Sequence, residues 1–367
     1  LIKNINKIVP NISIIVPIYN AESHIKKCLD NLLKQDFAES FEIILVNDAS
    51  TDNSIDLIKK YNSPKIKLHS LSLNSGPGAA RNFGIKKALG KYIYFIDVDD
   101  TIATNALKTL YSIAKQNDCD FVCADFKRIE NLENQRKNTY NYRTNKVFEN
   151  NELIDAMRRE IHDPSLGHLA LFGCNGRLIR RSIIIDNNIL FQEKLRFLED
   201  KLFCWDVMGF IRSARYVREQ LYSYYVYPNT NTAVAEGISS GFPIENFKLI
   251  KNHIQNSFKK RGLSIEEIEK LGEQALIFHI IQALVSISRF IFVEKLEIKK
   301  AKKVRRKIIN EIFADTEVLK AIKNYSPSKK ESQLIPKAIA WHSSMLLEFA
   351  CNRRAKEVLR RRRLGID

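Results

Sequence analysis

The chain has 367 residues, 45% of them hydrophobic and 10% aromatic, with only 13 Gly and 9 Pro. This supply of apolar side chains excludes collagen-like, low-complexity and wholly disordered chains, and the length predicts two domains or one large domain with an appendage. The formal net charge is +17, and it is unevenly placed: residues 241–367 carry 27 basic and 14 acidic side chains, against 32 and 28 in residues 1–240. We therefore divide the chain into a nearly balanced first domain, 1–240, and a basic C-terminal region, 241–367.

Six Cys in so long a chain are too sparse for a disulfide scaffold, and only Cys119 and Cys123 lie close together. Reduced, mostly buried thiols in a cytoplasmic compartment are the expectation. Leu1–Pro10 lacks the apolar run of a secretory leader. The longest apolar stretch, Leu276–Val293, is interrupted by His279, Gln282 and Arg289, so it is read as a buried helix and not as a membrane span.

In chain order, the first 130 residues alternate between two periods. Ile12–Ile18 is a short β-branched run suited to a strand buried on both faces, and Ser23–Lys34 places Ile25, Leu29, Leu32 and Leu33 at helical spacing. Strand Glu42–Val46, helix Asn53–Tyr61, strand Lys65–Leu71 and helix Gly78–Leu89 continue the pattern. Strand Tyr92–Ile96, helix Thr104–Gln116 and strand Asp120–Ala124 complete it. Such alternation with short connections predicts right-handed βαβ units and a mostly parallel sheet flanked by helices. Residues 128–150 are polar and read as a surface excursion, while Gly173–Arg181 and Phe191–Phe203 resume mixed structure. From about Pro243 the pattern is helical, broken at Ser326-Pro327 and Ile335-Pro336.

In parallel sheets ligands bind beyond the carboxyl ends of the strands, and polar residues gather there. Asp97-Val98-Asp99-Asp100 puts three carboxylates directly after an apolar strand. A helix cap and solvated turn account for one of them; a divalent cation, Mg²⁺ or Mn²⁺, would relieve the repulsion of all three and hold a diphosphate. Asp48 is placed either to accept hydrogen bonds from a base or ribose or to close an Asx turn. Arg81, just inside a helix that follows the Gly76–Gly78 turn, suits either an oxyanion or an ion pair. Glu199-Asp200 is either a helix-start acidic pair or the source of a catalytic base. The seven His form no HxH or HExxH pair, and neither a GxSxG elbow nor a GxxxxGK[ST] loop is present. Zinc hydrolases, serine hydrolases and P-loop NTPases therefore lack their parts. Arg353–Arg363 holds seven basic residues and one acid. It reads either as a solvated helix face or as a contact for anionic lipid, with nucleic acid not expected.

Taken together, ISIIVPIYN (12–20), VNDASTDNS (46–54), NSGPGAARNFGI (74–85) and YFIDVDD (94–100) resemble a bacterial family 2 glycosyltransferase of the inverting GT-A type. CNGRLIRRS (174–182) and FLEDKLF (197–203) resemble that family's later segments, so the likeness spans about residues 10–232. The resemblance implies that Pro17, Tyr19 and Asp48 border the nucleotide base and that Arg81 lies near the base or diphosphate. It implies a DxD pair, Asp97 towards the ribose and Asp99 on Mn²⁺ or Mg²⁺, with Asn175 at the donor sugar. Asp200 is then the general base and Glu199 its alternate or an acceptor ligand. The donor would be a UDP-sugar (galactose, GlcNAc or GalNAc) and the acceptor a hydroxyl of a cell-surface glycan, such as capsule or lipooligosaccharide. A cytoplasmic enzyme is expected, and the basic C-terminal region fits assembly of the glycan on a lipid carrier at the cytoplasmic face of the inner membrane. Two departures stand out: Tyr225–Thr232 has no Arg where the family often carries an Arg-containing segment, and no later His is assignable as a third metal ligand. The competing expectation is an inactive nucleotide-sugar-binding scaffold with a basic interaction tail.

Overall fold

The computed structural model describes residues 9–129, 135–138, 145–162, 171–195, 198–226, 237–238, 241–293, 298–328 and 331–363. The chain forms two compact units. The first comprises residues 1–155 and 166–230; the second comprises 156–165 and 231–367.

In the first unit, β1 (Ile12–Ile18), β2 (Phe41–Asn47), β3 (Ile66–Ser70) and β4 (Tyr92–Phe95) form a parallel array in the order β3-β2-β1-β4. The helices between them are α1 (Glu22–Leu33), α2 (Ser54–Lys59) and α3 (Pro77–Lys87). β1 and β2 are buried almost throughout, which is why both read as unbroken apolar runs. The polar exceptions are compensated. Buried Glu42 accepts hydrogen bonds from Ser13 Oγ (2.5 Å) and Leu89 N (2.8 Å) and pairs with Lys67.

Beyond β4 the sheet continues as β9-β6-β10-β5, with β5 at Thr101–Ile102, β6 at Phe121–Ile129, β9 at Arg177–Arg180 and β10 at Ser213–Tyr225. β9 runs antiparallel to both β4 and β6, whereas β6 and β10 are parallel. The mostly parallel sheet expected from the sequence is therefore present, with one reversed strand inside it. α4 (Ala106–Gln116) precedes β6, and α5 (Asn151–His162), α6 (Arg181–Asp186) and α7 (Glu199–Phe210) follow in the chain. The segment read as a surface excursion instead contributes β7 (Gln135–Asn138), paired with β6, and β8 (Lys146–Glu149), paired with β10. β8 lacks an apolar run because only Phe148 of its four side chains is buried.

The second unit is helical. It contains α8 (Ile244–Lys260), α9 (Ile265–Val293), α10 (Ile298–Ala314), α11 (Thr316–Asn324), α12 (Leu334–Ala340) and α13 (Ser344–Arg363). α9 is its centre and packs on α8, α10, α11 and α13. It is long and apolar enough to cross a membrane, yet 61% of its most apolar stretch is buried within the chain. Buried Arg305 of α10 donates to Ser288 Oγ of α9 (3.0 Å) and to Asn352 (2.7 Å) and Glu348 (3.2 Å) of α13, fixing α13 in place. All six cysteines are free thiols and buried.

Candidate active site

The carboxyl ends of β1, β2 and β4 meet along one edge, and three short segments carry their polar residues there. Beyond β1, Pro17 is half-buried and Tyr19 is 51% exposed. Asn20 adopts a positive φ of 46° and accepts a hydrogen bond from Thr51 N (2.8 Å), while its own N–H donates to Ser50 Oγ (3.0 Å). Glu22 N donates to Asp52 (2.9 Å), so the loops after β1 and β2 are tied into one rim.

Asp48 is buried at the end of β2, and its two carboxylate oxygens accept from Ser75 N and Gly76 N, each at 2.7 Å. Asp48 therefore clamps the glycine turn that opens α3, a longer-range version of the turn-closing role weighed for it. Gly76 itself sits at φ 91°, a conformation open to glycine and costly for other residues.

Arg81 lies one turn into α3 and is buried, its guanidinium held between two carboxylates. Its NH1 donates to Glu199 Oε1 (3.1 Å) and its NH2 to Asp97 Oδ1 (2.8 Å). The other Asp97 oxygen accepts from Asn175 Nδ2 at 2.6 Å. Thus Glu199, Arg81, Asp97 and Asn175 form one hydrogen-bonded chain, drawn from α7, α3, the turn after β4 and the lead into β9. Aromatic packing aligns these elements. Phe191 stacks on Phe203 of α7 at 4.1 Å, Phe95 of β4 meets both edge-on at 5.4 and 5.6 Å, and Arg81 lies 5.4 Å from the Phe191 ring. Arg81 acts within the site as an ion-pair bridge between carboxylates.

Glu199 and Asp200, the first residues of α7, differ sharply in setting. Glu199 is buried. Burial, reinforced by the charge of Asp200 and opposed by Arg81, pushes its carboxyl up to about 7. Asp200 is half-buried, and its Oδ1 accepts from Lys201 N at 2.7 Å. One acid is buried and bound to Arg81; the other is half-buried.

The Asp97–Asp100 turn brings carboxylate oxygens of Asp97, Asp99 and Asp100 within 4.8 Å of one another. Burial first, then the Asp97 charge, raises the carboxyl of Asp99; burial and both neighbouring acids push Asp100 up to about 8. Asp100 is buried, accepts from the Tyr222 hydroxyl and accepts from Tyr225 N at 2.9 Å. It therefore ties the turn to β10. Oxygen-only donors crowded in this way fit a hard cation such as Mg²⁺ or Mn²⁺, and of the three Asp97 and Asp99 are half-buried while Asp100 is buried. Of the departure noted at Tyr225–Thr232, residues 227–232 lie outside the described residues, as does Phe197 of the FLEDKLF segment.

Sequence reading did not single out Asn82, Phe191 or Tyr222. Buried Asn82 donates to Phe191 O (2.9 Å) and accepts from Phe191 N (2.8 Å), so α3 holds the segment leading to α7 by the same helix turn that carries Arg81. Asn82 stands next to Arg81 in the quoted motif, which was the available signal. Tyr222 had none.

Residues 13–187 match the family model Glycosyl transferase family 2. The chain is 32% identical over 231 residues to the uncharacterized glycosyltransferase EpsJ of Bacillus subtilis, covering 62% of this chain and 64% of that protein. It is 34% identical over 229 residues to the uncharacterized glycosyltransferase YibD of Escherichia coli K12, covering 61% and 63%. It is 31% identical over 273 residues to the poly(ribitol-phosphate) beta-glucosyltransferase of Bacillus spizizenii, covering 73% and 39%. The chain thus spans less than two thirds of the length of each of these relatives. Among solved structures, S. aureus TarS 1–349 in complex with UDP-GlcNAc matches 96% of this chain and 92% of its own with a TM-score of 0.67 at 22% identity, a likeness of fold. Over residues 13–187 the chain is thus similar to glycosyl transferase family 2, and it has the GT-A fold.

Proposed function

We propose that the protein is an inverting glycosyltransferase that moves a sugar from a UDP-linked donor to a hydroxyl of a cell-surface glycan, working in the cytoplasm. The observation that carries this reading is the Glu199–Arg81–Asp97–Asn175 chain beside Asp99 at the ligand-binding edge of the sheet. UDP-GlcNAc is the first donor to test, because the similar fold of TarS has been solved with it, and UDP-galactose and UDP-GalNAc follow. Relatives named as poly(ribitol-phosphate) sugar transferases support a polyol-phosphate or comparable surface polymer as acceptor.

In this reading Pro17 and Tyr19 frame the base, while Asp48 holds the Ser75–Gly76 turn that walls the same pocket. Asp97 and Asp99 hold a Mn²⁺ or Mg²⁺ ion, which when bound supplies the positive charge that offsets the diphosphate leaving group. Arg81 keeps Asp97 and Glu199 in register, and Asn175 orients Asp97 beside the donor sugar. Asp200 takes the proton of the acceptor hydroxyl as its oxygen bonds to the anomeric carbon; the bond from that carbon to the diphosphate breaks on the opposite face, releasing UDP. One displacement inverts the anomeric centre, so an α-linked donor gives a β-linked product. Glu199 is buried and its carboxylate is engaged by Arg81, so it serves to position Arg81 and leaves the proton transfer to Asp200.

The test is a thermal-shift panel of UDP, GDP, CDP and their sugar conjugates with and without Mn²⁺, followed by turnover with the sugars that bind. Metal-dependent stabilisation by UDP species, with transfer lost in Asp200→Asn and binding retained, is the expected result. No response to any nucleotide overturns the reading in favour of an inactive scaffold, and unchanged turnover in Asp200→Asn overturns the base assignment.

A further inference from the structure

One face of α13 is exposed along its length and changes character midway. Met345, Phe349, Arg353, Lys356 and Arg360 are all exposed. At about 100° per residue they fall within an arc of about 80° on the helix. The opposite face, through Leu347, Ala350, Cys351 and Ala355, is buried in the second unit. The first half of the exposed face is apolar: Met345 is 85% exposed and Phe349 58%, and Trp341, just before the helix, is 66% exposed. The second half is basic. The acids of α13 lie off this face and are engaged, Glu348 with Arg305 and Glu357 with Arg354 and Arg361. Lys356 Nζ lies 5.2 Å over the ring of Phe292, which joins the exposed end of α9 (Phe292 and Val293) to the same surface.

Soluble proteins seldom leave bulky apolar side chains grouped in this way. Next to a basic row the grouping has the composition of a helix that lies in a membrane interface, with apolar side chains at the acyl boundary and cations among headgroups. Nucleic acid would draw on the basic half and leave Met345 and Phe349 unused; a second copy of the chain would bring three cations against three. We propose that this face of α13, with Trp341 and the end of α9, docks the protein on a bilayer surface rich in anionic phospholipid. It does not depend on the donor assignment.

The experiment uses the full chain with sucrose-loaded vesicles of phosphatidylcholine, with and without phosphatidylglycerol, in co-sedimentation and tryptophan emission. The sequence has two Trp, and Trp205 is 1% exposed, so a blue shift on binding reports Trp341. Sedimentation with anionic vesicles only, weakened by salt and accompanied by the blue shift, is expected. Arg353→Gln/Lys356→Gln/Arg360→Gln should bind about 100-fold more weakly, at about 1 kcal/mol per basic residue. Met345→Ser/Phe349→Ser should bind about 100-fold more weakly with its charges intact, from lost apolar burial. Both variants should melt like the parent, which separates lost docking from lost folding. Equal binding to neutral vesicles, or variants that bind like the parent, overturn the proposal. So does a concentration-dependent dimer dispersed by Phe349→Ser, or salt-dependent oligonucleotide binding, if vesicles do not bind.

Discussion

Replacing Arg81 by Met removes the guanidinium while keeping most of its buried stem, and leaves two carboxylates facing a space that held a cation. Removing one partner of a buried ion pair costs about 3–5 kcal/mol, because the other charge stays desolvated. Here the cost is unequally shared. The Asp97 side chain is 32% exposed and keeps its bond to Asn175, so solvent screens its part. Glu199 is buried and depends on Arg81, but its carboxyl, already pushed up to about 7, can take a proton instead. Near pH 8, where Glu199 is ionised in the parent, Arg81→Met should cost about 3 kcal/mol; near pH 5.5, where it is largely neutral, about 1–2 kcal/mol. Urea unfolding followed by the fluorescence of Trp205, buried in the same unit, measures both values. Adding Glu199→Gln to Arg81→Met should recover much of the loss at the higher pH. Equal destabilisation at both pH values, or a double variant no more stable than the single, would refute the assignment of Glu199 as the dependent partner.

Other outcomes follow from the same geometry. Because burial raises Glu199 above its ordinary value of 4.5, the folded state binds the extra proton between that value and about 7, and this contribution to stability is lost as pH rises through the window. Glu199→Gln should remove up to about 3 kcal/mol of that pH dependence, read as a flatter plot of melting temperature against pH. Asp99→Asn should abolish the Mn²⁺-dependent part of UDP stabilisation without lowering the melting temperature of the nucleotide-free protein. Asp100→Asn should lower that melting temperature, since Asp100 holds Tyr222 and Tyr225; the reverse ranking would exchange their roles. In Gly90→Ala the new Cβ would lie 2.5 Å from Ser13 N, a backbone atom, where β1 passes α3's exit. A cost of about 2–3 kcal/mol is expected, and a variant as stable as the parent would contradict that packing.

Much of the first unit was legible because its signals are local. Strands buried on both faces must be apolar without interruption, and their helices must repeat an apolar stripe, so β1 to β4 and α1 to α4 can be placed from short windows. The ligand edge followed, because parallel strands gather their carboxyl ends, and Asp48, Arg81 and the Asp97–Asp100 turn sit at those ends. Tertiary structure alone decided which partners these residues take. Arg81 and Glu199 are separated by 118 positions and Asp97 and Asn175 by 78, and no periodicity links such positions. The same holds for the reversed strand β9 and for β7 and β8, whose pairing is non-local and whose polar sequence resembles a loop. The chemistry on offer was written in residue types at strand ends and at one helix start; how the acids of the Asp97–Asp100 turn and of Glu199-Asp200 differ was set by burial. Burial made Asp100 a strut and Glu199 a bound, raised carboxyl, and left Asp97, Asp99 and Asp200 half-buried.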